Sequence, residues 1–266
     1  METFSYHRPA SVADAVRALG AGSDAKLLAG GQTLLASMKL GLTAPSDLVD
    51  LGGIAELHGI RSEGDKLVIG AMTRHADVAN AAEVRTAIPA LAALAEGIGD
   101  RQVRNAGTLG GSLANADPAA DYPAAVLGLG AEIRTDRRKI AADDFFKSLF
   151  ETALEPGELI VAVAFPKPQR AAYVKFLQPA SRFALVGVFV AQTAGGARVA
   201  VTGAGPCAFR VPALESALST RFAPEACNGI TVAPGGLNTD LHGSAEYRAH
   251  LIPVLARRAV AAALGR

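Results

Sequence analysis

Two segments of this chain pair glycines beside a hydroxyl, and together they constrain the fold more than any other feature. The first is Leu27-Leu28-Ala29-Gly30-Gly31-Gln32-Thr33-Leu34; the second is Thr108-Leu109-Gly110-Gly111-Ser112. An apolar strand that runs into two glycines can turn sharply into a helix and leave N–H groups uncovered, which suits a diphosphate. Thr33 adds a hydroxyl donor. One such segment alone reads most simply as a strand-to-helix turn. Two in one chain can grip opposite sides of a single pyrophosphate. Neither is a Rossmann G-x-G-x-x-G, and no Gly-Lys-Ser/Thr follows to make a P-loop.

The surrounding pattern alternates short apolar strands with helical stripes, the signature of an α/β sheet. Ser11 and Asp14 resemble a capping box ahead of the stripe Val12, Val16 and Leu19, with Gly20 as its stop. Strands are expected over residues 26–29, 47–51 and 66–69, and a helix over 33–40 that Gly41 ends. Thr73 is a candidate cap for a helix over 75–80, and Pro89 for the start of one through 96. Residues 107–122 are small, polar and without periodicity, and read as a long functional loop. A helix over 123–129 and a strand over 132–134 follow. Pro166 and Pro168 mark a boundary near 168. Beyond it, residues 171–177, 183–191 and 198–202 read as consecutive strands, with Gly195-Gly196 as a hairpin turn. Helices are expected over 212–218 and 244–264, the latter with a stripe of Tyr247, Leu251, Val254 and Leu255.

Several function classes are excluded by composition. A net charge of +1 with 19% charged residues is no nucleic-acid footprint. The longest apolar runs reach about half of the roughly 18 residues of a membrane span, and the N-terminus lacks an apolar h-region, so a soluble cytoplasmic protein is expected. Cys207 and Cys227 are too few for an iron–sulfur cluster or a Cys₄ zinc site. The five histidines have no metal-ligand spacing. Asp117 and Asp121 bracket Pro118-Ala119-Ala120 and lack a third acid or histidine nearby. Capping by Asp117, and hydrogen-bond acceptance from a ligand by Asp121, read better than metal binding. No nucleophile or acid–base pair stands out, so no catalytic residue is assigned.

Together, the first glycine segment and Ile98-Gly99-Asp100-Arg101-Gln102-Val103-Arg104-Asn105-Ala106-Gly107-Thr108-Leu109-Gly110-Gly111-Ser112-Leu113-Ala114-Asn115-Ala116-Asp117-Pro118-Ala119-Ala120-Asp121 closely resemble the FAD-binding medium subunit of the molybdenum hydroxylases. The likeness is to the carbon monoxide dehydrogenase type and to the flavin subunit of xanthine dehydrogenase. It extends to Ile69-Gly70-Ala71-Met72-Thr73, Pro156-Gly157-Glu158-Leu159-Ile160, Lys175-Phe176 and Ser244-Ala245-Glu246-Tyr247-Arg248, and misses only the stretch around 224–238.

The resemblance implies an α+β fold. Residues 1–168 would be an FAD-binding region of two α/β subdomains, about 1–57 and 58–168. Residues 169–266 would be a C-terminal α+β domain with a small antiparallel sheet and helices. Leu27, Leu28, Ala29, Gly30, Gly31, Gln32, Thr33 and Leu34, with Thr108, Leu109, Gly110, Gly111 and Ser112, would hold the FAD diphosphate and ribityl. Ile98 and Ile160 would be apolar contacts, and Asp121 and Lys175 polar ones. Lys175 would be a mobile cation that tunes the flavin. Gln32 and Thr33 stand where the family often has His and Ser, and both keep hydrogen-bonding capacity. Neither segment holds a histidine or cysteine, so FAD is expected without covalent attachment.

The function so implied is that of an oxidoreductase subunit. A large partner subunit would hold molybdopterin and the substrate, and a small one two [2Fe–2S] clusters, in a heterohexameric dimer of heterotrimers. This chain would collect electrons on FAD and pass them to an external acceptor. The competing classes are a stand-alone FAD oxidoreductase and a nucleotide-binding regulatory protein without redox chemistry.

Overall fold

The computed structural model describes residues 2–266. Strands β1 (Ser5–His7), β2 (Ala25–Leu28) and β3 (Asp47–Asp50) form a parallel sheet in the order β1–β3–β2. Parallel neighbours need crossovers, and α1 (Val12–Ala21) and α2 (Leu34–Lys39) supply them. The Ser11 hydroxyl caps α1 by accepting from Asp14 N–H at 3.1 Å. The helix runs through Gly20, which has open space around it, and ends at Gly22, where the chain becomes extended. The first glycine segment therefore leaves the carboxyl end of β2, where open parallel sheets hold ligands.

A second, antiparallel sheet has the order β4–β5–β10–β6–β7. Its strands are β4 (Ile60–Glu63), β5 (Lys66–Gly70), β6 (Glu132–Thr135), β7 (Lys139–Ala141) and, after the hairpin β8 (Phe146–Ser148) and β9 (Glu151–Thr152), β10 (Ile160–Pro166). The sequence gives no sign that β10 is central. Yet Val163 lies between Ile69 and Ile133, and both faces of the strand are largely buried. Such a strand loses the alternation that marks a half-exposed one.

Between β5 and β6 run α3 (His75–Asn80), α4 (Ala82–Ala87), α5 (Pro89–Glu96), α6 (Arg101–Ala106), α7 (Leu109–Asn115) and α8 (Tyr122–Leu129). A short α9 (Ala142–Phe145) follows β7. These helices pack Leu91, Leu94, Leu109, Tyr122 and Val126 against Leu67, Ile69 and Phe165 of the sheet. Two expectations fail here, and one further helix appears. Residues 107–122 are not one loop, because α7 forms within them. Residues 101–106 are helical too, capped by the Asp100 carboxylate, which accepts from Val103 N–H at 2.8 Å. Thr73 does not cap α3, because its hydroxyl donates to Gly59 O at 3.2 Å and Arg74 holds the cap position.

Past Pro166 the chain builds a third sheet from β11 (Arg170–Leu177), β12 (Ala184–Thr193), β13 (Gly196–Thr202) and β14 (Phe209–Arg210), paired in that order and antiparallel. The first eight residues of β12 are buried. Phe189 and Ala191 join the core around α8, while Val186, Val188 and Val190 face the other way. There they meet α11 (Ala245–Ala263), with α10 (Pro212–Thr220) beside it. The buried side of α11 carries Leu251, Ile252, Leu255, Ala256 and Ala259, whereas Tyr247 is 41% exposed and Val254 is half-buried. The helix is turned from the expected stripe because Arg248 is inside. Its guanidinium donates to Leu185 O at 2.6 Å and Gly203 O at 2.9 Å. Among the described residues, no helix is long and apolar enough to cross a membrane.

Candidate functional site

The two glycine segments meet across a cleft of about 460 Å³. Their contact is backbone on backbone. A Cβ at Gly30 would lie 2.2 Å from Ala106 O and 2.7 Å from Gly107 Cα, and one at Gly111 would lie 3.3 Å from the Ala29 Cβ. Gly31 adopts a φ of +69°, the left-handed turn that lifts the chain from β2 into α2. In this first segment the N–H groups of Gly30, Gly31, Gln32, Thr33 and Leu34 have no acceptor among the described residues. They form a continuous row of donors on the cleft, completed by the N-terminus of α2.

In the second segment the same letters do something else. Leu109 N–H donates to Thr73 O at 3.0 Å, Gly110 N–H to Ala71 O at 2.8 Å and Ser112 N–H to Thr108 O at 3.0 Å. Gly111 N–H donates to the Thr108 hydroxyl at 3.2 Å. Four of its five N–H groups, those from Leu109 to Ser112, are used up inside the protein. Gly110 is small because its built Cβ would lie 2.6 Å from the Ala71 Cβ. Thr108, Gly110, Gly111 and Ser112 line the cleft as a close-packed seat, while Leu109 is fully buried in the core.

The walls are aliphatic, from Ile98, Val103, Leu154, Leu159 and Ile160. Leu27, Ala29 and Asp121 line the cleft; Leu28 and Lys175 do not. Lys175 is tied down behind the wall, with Nζ 3.0 Å from Asp121 Oδ1 and donating to Gly97 O at 3.0 Å. Tyr173 OH donates to the same Asp121 oxygen at 2.5 Å. The expected mobile cation is thus a fixed, neutralised one. Burial pushes the Asp121 carboxyl up, against the pull of Lys175 and Tyr173. Asp117 does not cap a helix; it accepts from Ala119 N–H at 2.8 Å in a tight turn.

Sequence reasoning did not assign Lys26, His75, Asn115, Glu158 or Phe183, all of which line the cleft. Glu158 sits within a motif that was noted, and its acid is bound on every side. Arg138 donates to both oxygens at 3.0 and 2.9 Å, Thr135 OH at 2.7 Å and Glu155 N–H at 2.8 Å. The Arg138 hydrogen bonds hold its pKa at about 2. His75 carries no spacing signal at all, because its neighbours in the site come from 30 residues further on. Among the described residues, Lys26 is the one Lys or Arg on the lining, which also carries the carboxylates Asp117, Asp121 and Glu158. An anionic ligand is therefore met by backbone N–H groups and the α2 terminus rather than by a basic patch. No cluster of three His, Cys, Asp or Glu able to hold a metal is present among the described residues.

A crevice at the carboxyl end of a parallel sheet, with a row of free N–H groups and aliphatic walls, defines a protein that binds a dinucleotide cofactor. The family described as the FAD binding domain in molybdopterin dehydrogenase matches residues 2–168, and the chain belongs to that family. It is 38% identical to the carbon monoxide dehydrogenase medium chain of Hydrogenophaga pseudoflava, over 99% of this chain and 98% of that one. It is 35% identical to the nicotine 6-hydroxylase medium subunit of Paenarthrobacter nicotinovorans, over 98% and 97%. The solved structure of carbon monoxide dehydrogenase from Hydrogenophaga pseudoflava superposes with a TM-score of 0.90 at 37% identity, over 99% of this chain and 98% of that chain. These relatives are subunits of oxidoreductases, and FAD is the cofactor of the family. The residues present fit it: uncovered donors for a diphosphate and an apolar wall for a flat ring system lie on one cleft.

Proposed function

We propose that this chain is the FAD-carrying electron-transfer subunit of a molybdenum hydroxylase complex. It takes electrons from the [2Fe–2S] clusters of a small partner subunit and passes them to an external acceptor. A large partner subunit holds molybdopterin and chooses the substrate. The assembly is a cytoplasmic dimer of heterotrimers. The observation that carries this reading is the free donor row from Gly30 to Leu34 on a cleft with aliphatic walls.

Bound FAD supplies a site that accepts two electrons and releases them onward. The chain's own residues bind and shelter it. Gly30, Gly31, Gln32, Thr33 and Leu34 hold the diphosphate through N–H groups and the Thr33 hydroxyl. Thr108, Gly110, Gly111 and Ser112 form the seat opposite. Ile98 and Ile160 exclude water from the ring. Asp121 offers the polar contact, and Lys175 acts through Asp121 by fixing its charge. Residues 1–168 make the FAD region, and 169–266 supply the Lys175 and Tyr173 that brace it.

The test is the composition and reactivity of the native complex. The purified assembly should hold molybdenum, iron and acid-releasable FAD, and should reduce a dye from substrate. The lone chain should hold FAD alone and be bleached by dithionite only. A metal-free chain that oxidises a substrate at the complex's rate would establish the stand-alone oxidoreductase instead. FAD bound without being reducible would establish the regulatory class.

A further inference from the structure

His75 is buried to 5% exposure yet lines the cleft. Its backbone N–H donates to Gly107 O at 2.9 Å, and its ring lies against Gly107, so that a Cβ built there would stand 2.6 Å from Nε2. The two ring nitrogens have different surroundings. Nδ1 is sealed from solvent without a hydrogen-bond partner, as is the Tyr122 hydroxyl, and no other described side chain leaves a buried polar atom so. Nε2 is not sealed and makes no hydrogen bond within the protein, so the accessible part of the ring is turned to the cleft.

The neighbours decide the tautomer. The rings of His75 and Tyr122 lie 5.3 Å apart, centroid to centroid. An unpaired buried N–H is costlier than an unpaired buried lone pair, and Nδ1 is the ring nitrogen that is sealed. That arrangement leaves the lone pair on Nδ1 and the proton on Nε2. Burial first, and the Arg104 charge second, hold the imidazole pKa at about 4, so the ring is neutral at neutral pH.

We infer that the His75 Nε2–H is a hydrogen-bond donor to an acceptor atom of the bound dinucleotide, kept in that tautomer by the sealing of Nδ1 from solvent and given access to the cleft by the missing side chain at Gly107. The inference rests on the FAD reading and adds to it a side-chain donor beside the second glycine segment, whose N–H groups from Leu109 to Ser112 are spent. One neutral donor of this kind is worth about tenfold in affinity.

The experiment is FAD binding to the full-length chain by quenching of flavin fluorescence, for the parent, His75→Leu and His75→Gln. The Leu variant fills the space without a donor and should bind about tenfold more weakly. The Gln variant restores an N–H near the position of Nε2 and should bind within about threefold of the parent. Thermal unfolding of each apoprotein separates lost binding from lost fold. Nitrogen-15 spectra of the parent, with His75 assigned through the Leu variant or, if that does not fold, through Gln, should show a neutral ring protonated on Nε2. A folded Leu variant that binds FAD like the parent overturns the inference, as does a Gln variant as weak as a folded Leu one or a parent ring protonated on Nδ1. A parent that holds no FAD at all overturns the cofactor reading itself, and this inference with it.

Discussion

The two Gly-Gly segments look alike in sequence and differ in what they present. The segment after β2 stands half-exposed on the cleft with its N–H groups free from Gly30 to Leu34. The segment that opens α7 is mostly buried, and its N–H groups from Leu109 to Ser112 are bonded to Thr73, Ala71 and Thr108. The first glycine pair leaves donors open on the cleft. The second lets a helix terminus press against Ala71 and bring the seat up to Ala29. The lesson is that glycine allows close approach, and the surrounding backbone decides whether a ligand or the protein itself makes that approach.

The comparison is broken or sharpened most by Gly110→Val. The new side chain meets Ala71 Cβ at 2.6 Å and Ala71 O at 2.9 Å, atoms that cannot rotate away. Overpacking of this kind should cost about 3 kcal/mol, read as a lowered midpoint in urea unfolding of the apoprotein. A variant of parental stability that had lost FAD would make Gly110 a ligand contact rather than a packing joint. Next comes Thr33→Ala. The Thr33 side chain is exposed and makes no cap bond, so stability should not move while FAD affinity falls about tenfold. Equal affinity would leave the backbone as the sole donor there.

Thr108→Ala is the mirror image. Its hydroxyl is 3% exposed and accepts the Gly111 N–H. Loss of that cap should cost about 1 kcal/mol of stability, measured by thermal unfolding, with FAD affinity within about threefold of the parent. If Thr108→Ala and Thr33→Ala gave the same pattern, the distinction between the two segments would fall. The smallest effect is that of salt. The donors are uncharged and Lys26 is half-exposed and paired with Asp24, so raising ionic strength from about 0.05 M to about 0.5 M should change FAD affinity by less than about threefold. A steep loss, followed by fluorescence titration, would mean that cations hold the diphosphate after all.

Much of the first sheet was legible because its signals are local. The Ser11 cap, the Gly30-Gly31 turn and the α2 stop at Gly41 each lie within one element or its end, and the structure places them within a few residues of where they were expected. β10 was illegible because a strand buried on both faces has no period to read. α7 was illegible because its first turn is satisfied by carbonyls of Thr73 and Ala71, remote in sequence. The site divides the same way. Gly30, Gly31, Ile98, Ser112 and Ile160 could be named from motifs, whereas His75 and Phe183 reach the cleft only through packing.

By itself, then, the sequence determined the composition of the cleft: which residues are small enough for backbones to meet, where hydroxyls stand beside them, and that no cluster ligands or nucleophile accompany them. The tertiary structure decided which of those groups are free. An N–H is a donor to a ligand only if no acceptor of the fold has claimed it, and for Leu109 and Gly110 the claiming carbonyls, of Thr73 and Ala71, lie far away in the chain. The same holds for charge. Lys175 reads as a free cation in the sequence, and becomes a paired one once β11 lays it against Asp121. Hydrogen-bond and ion-pair partners are assigned by proximity in space, which local sequence does not encode.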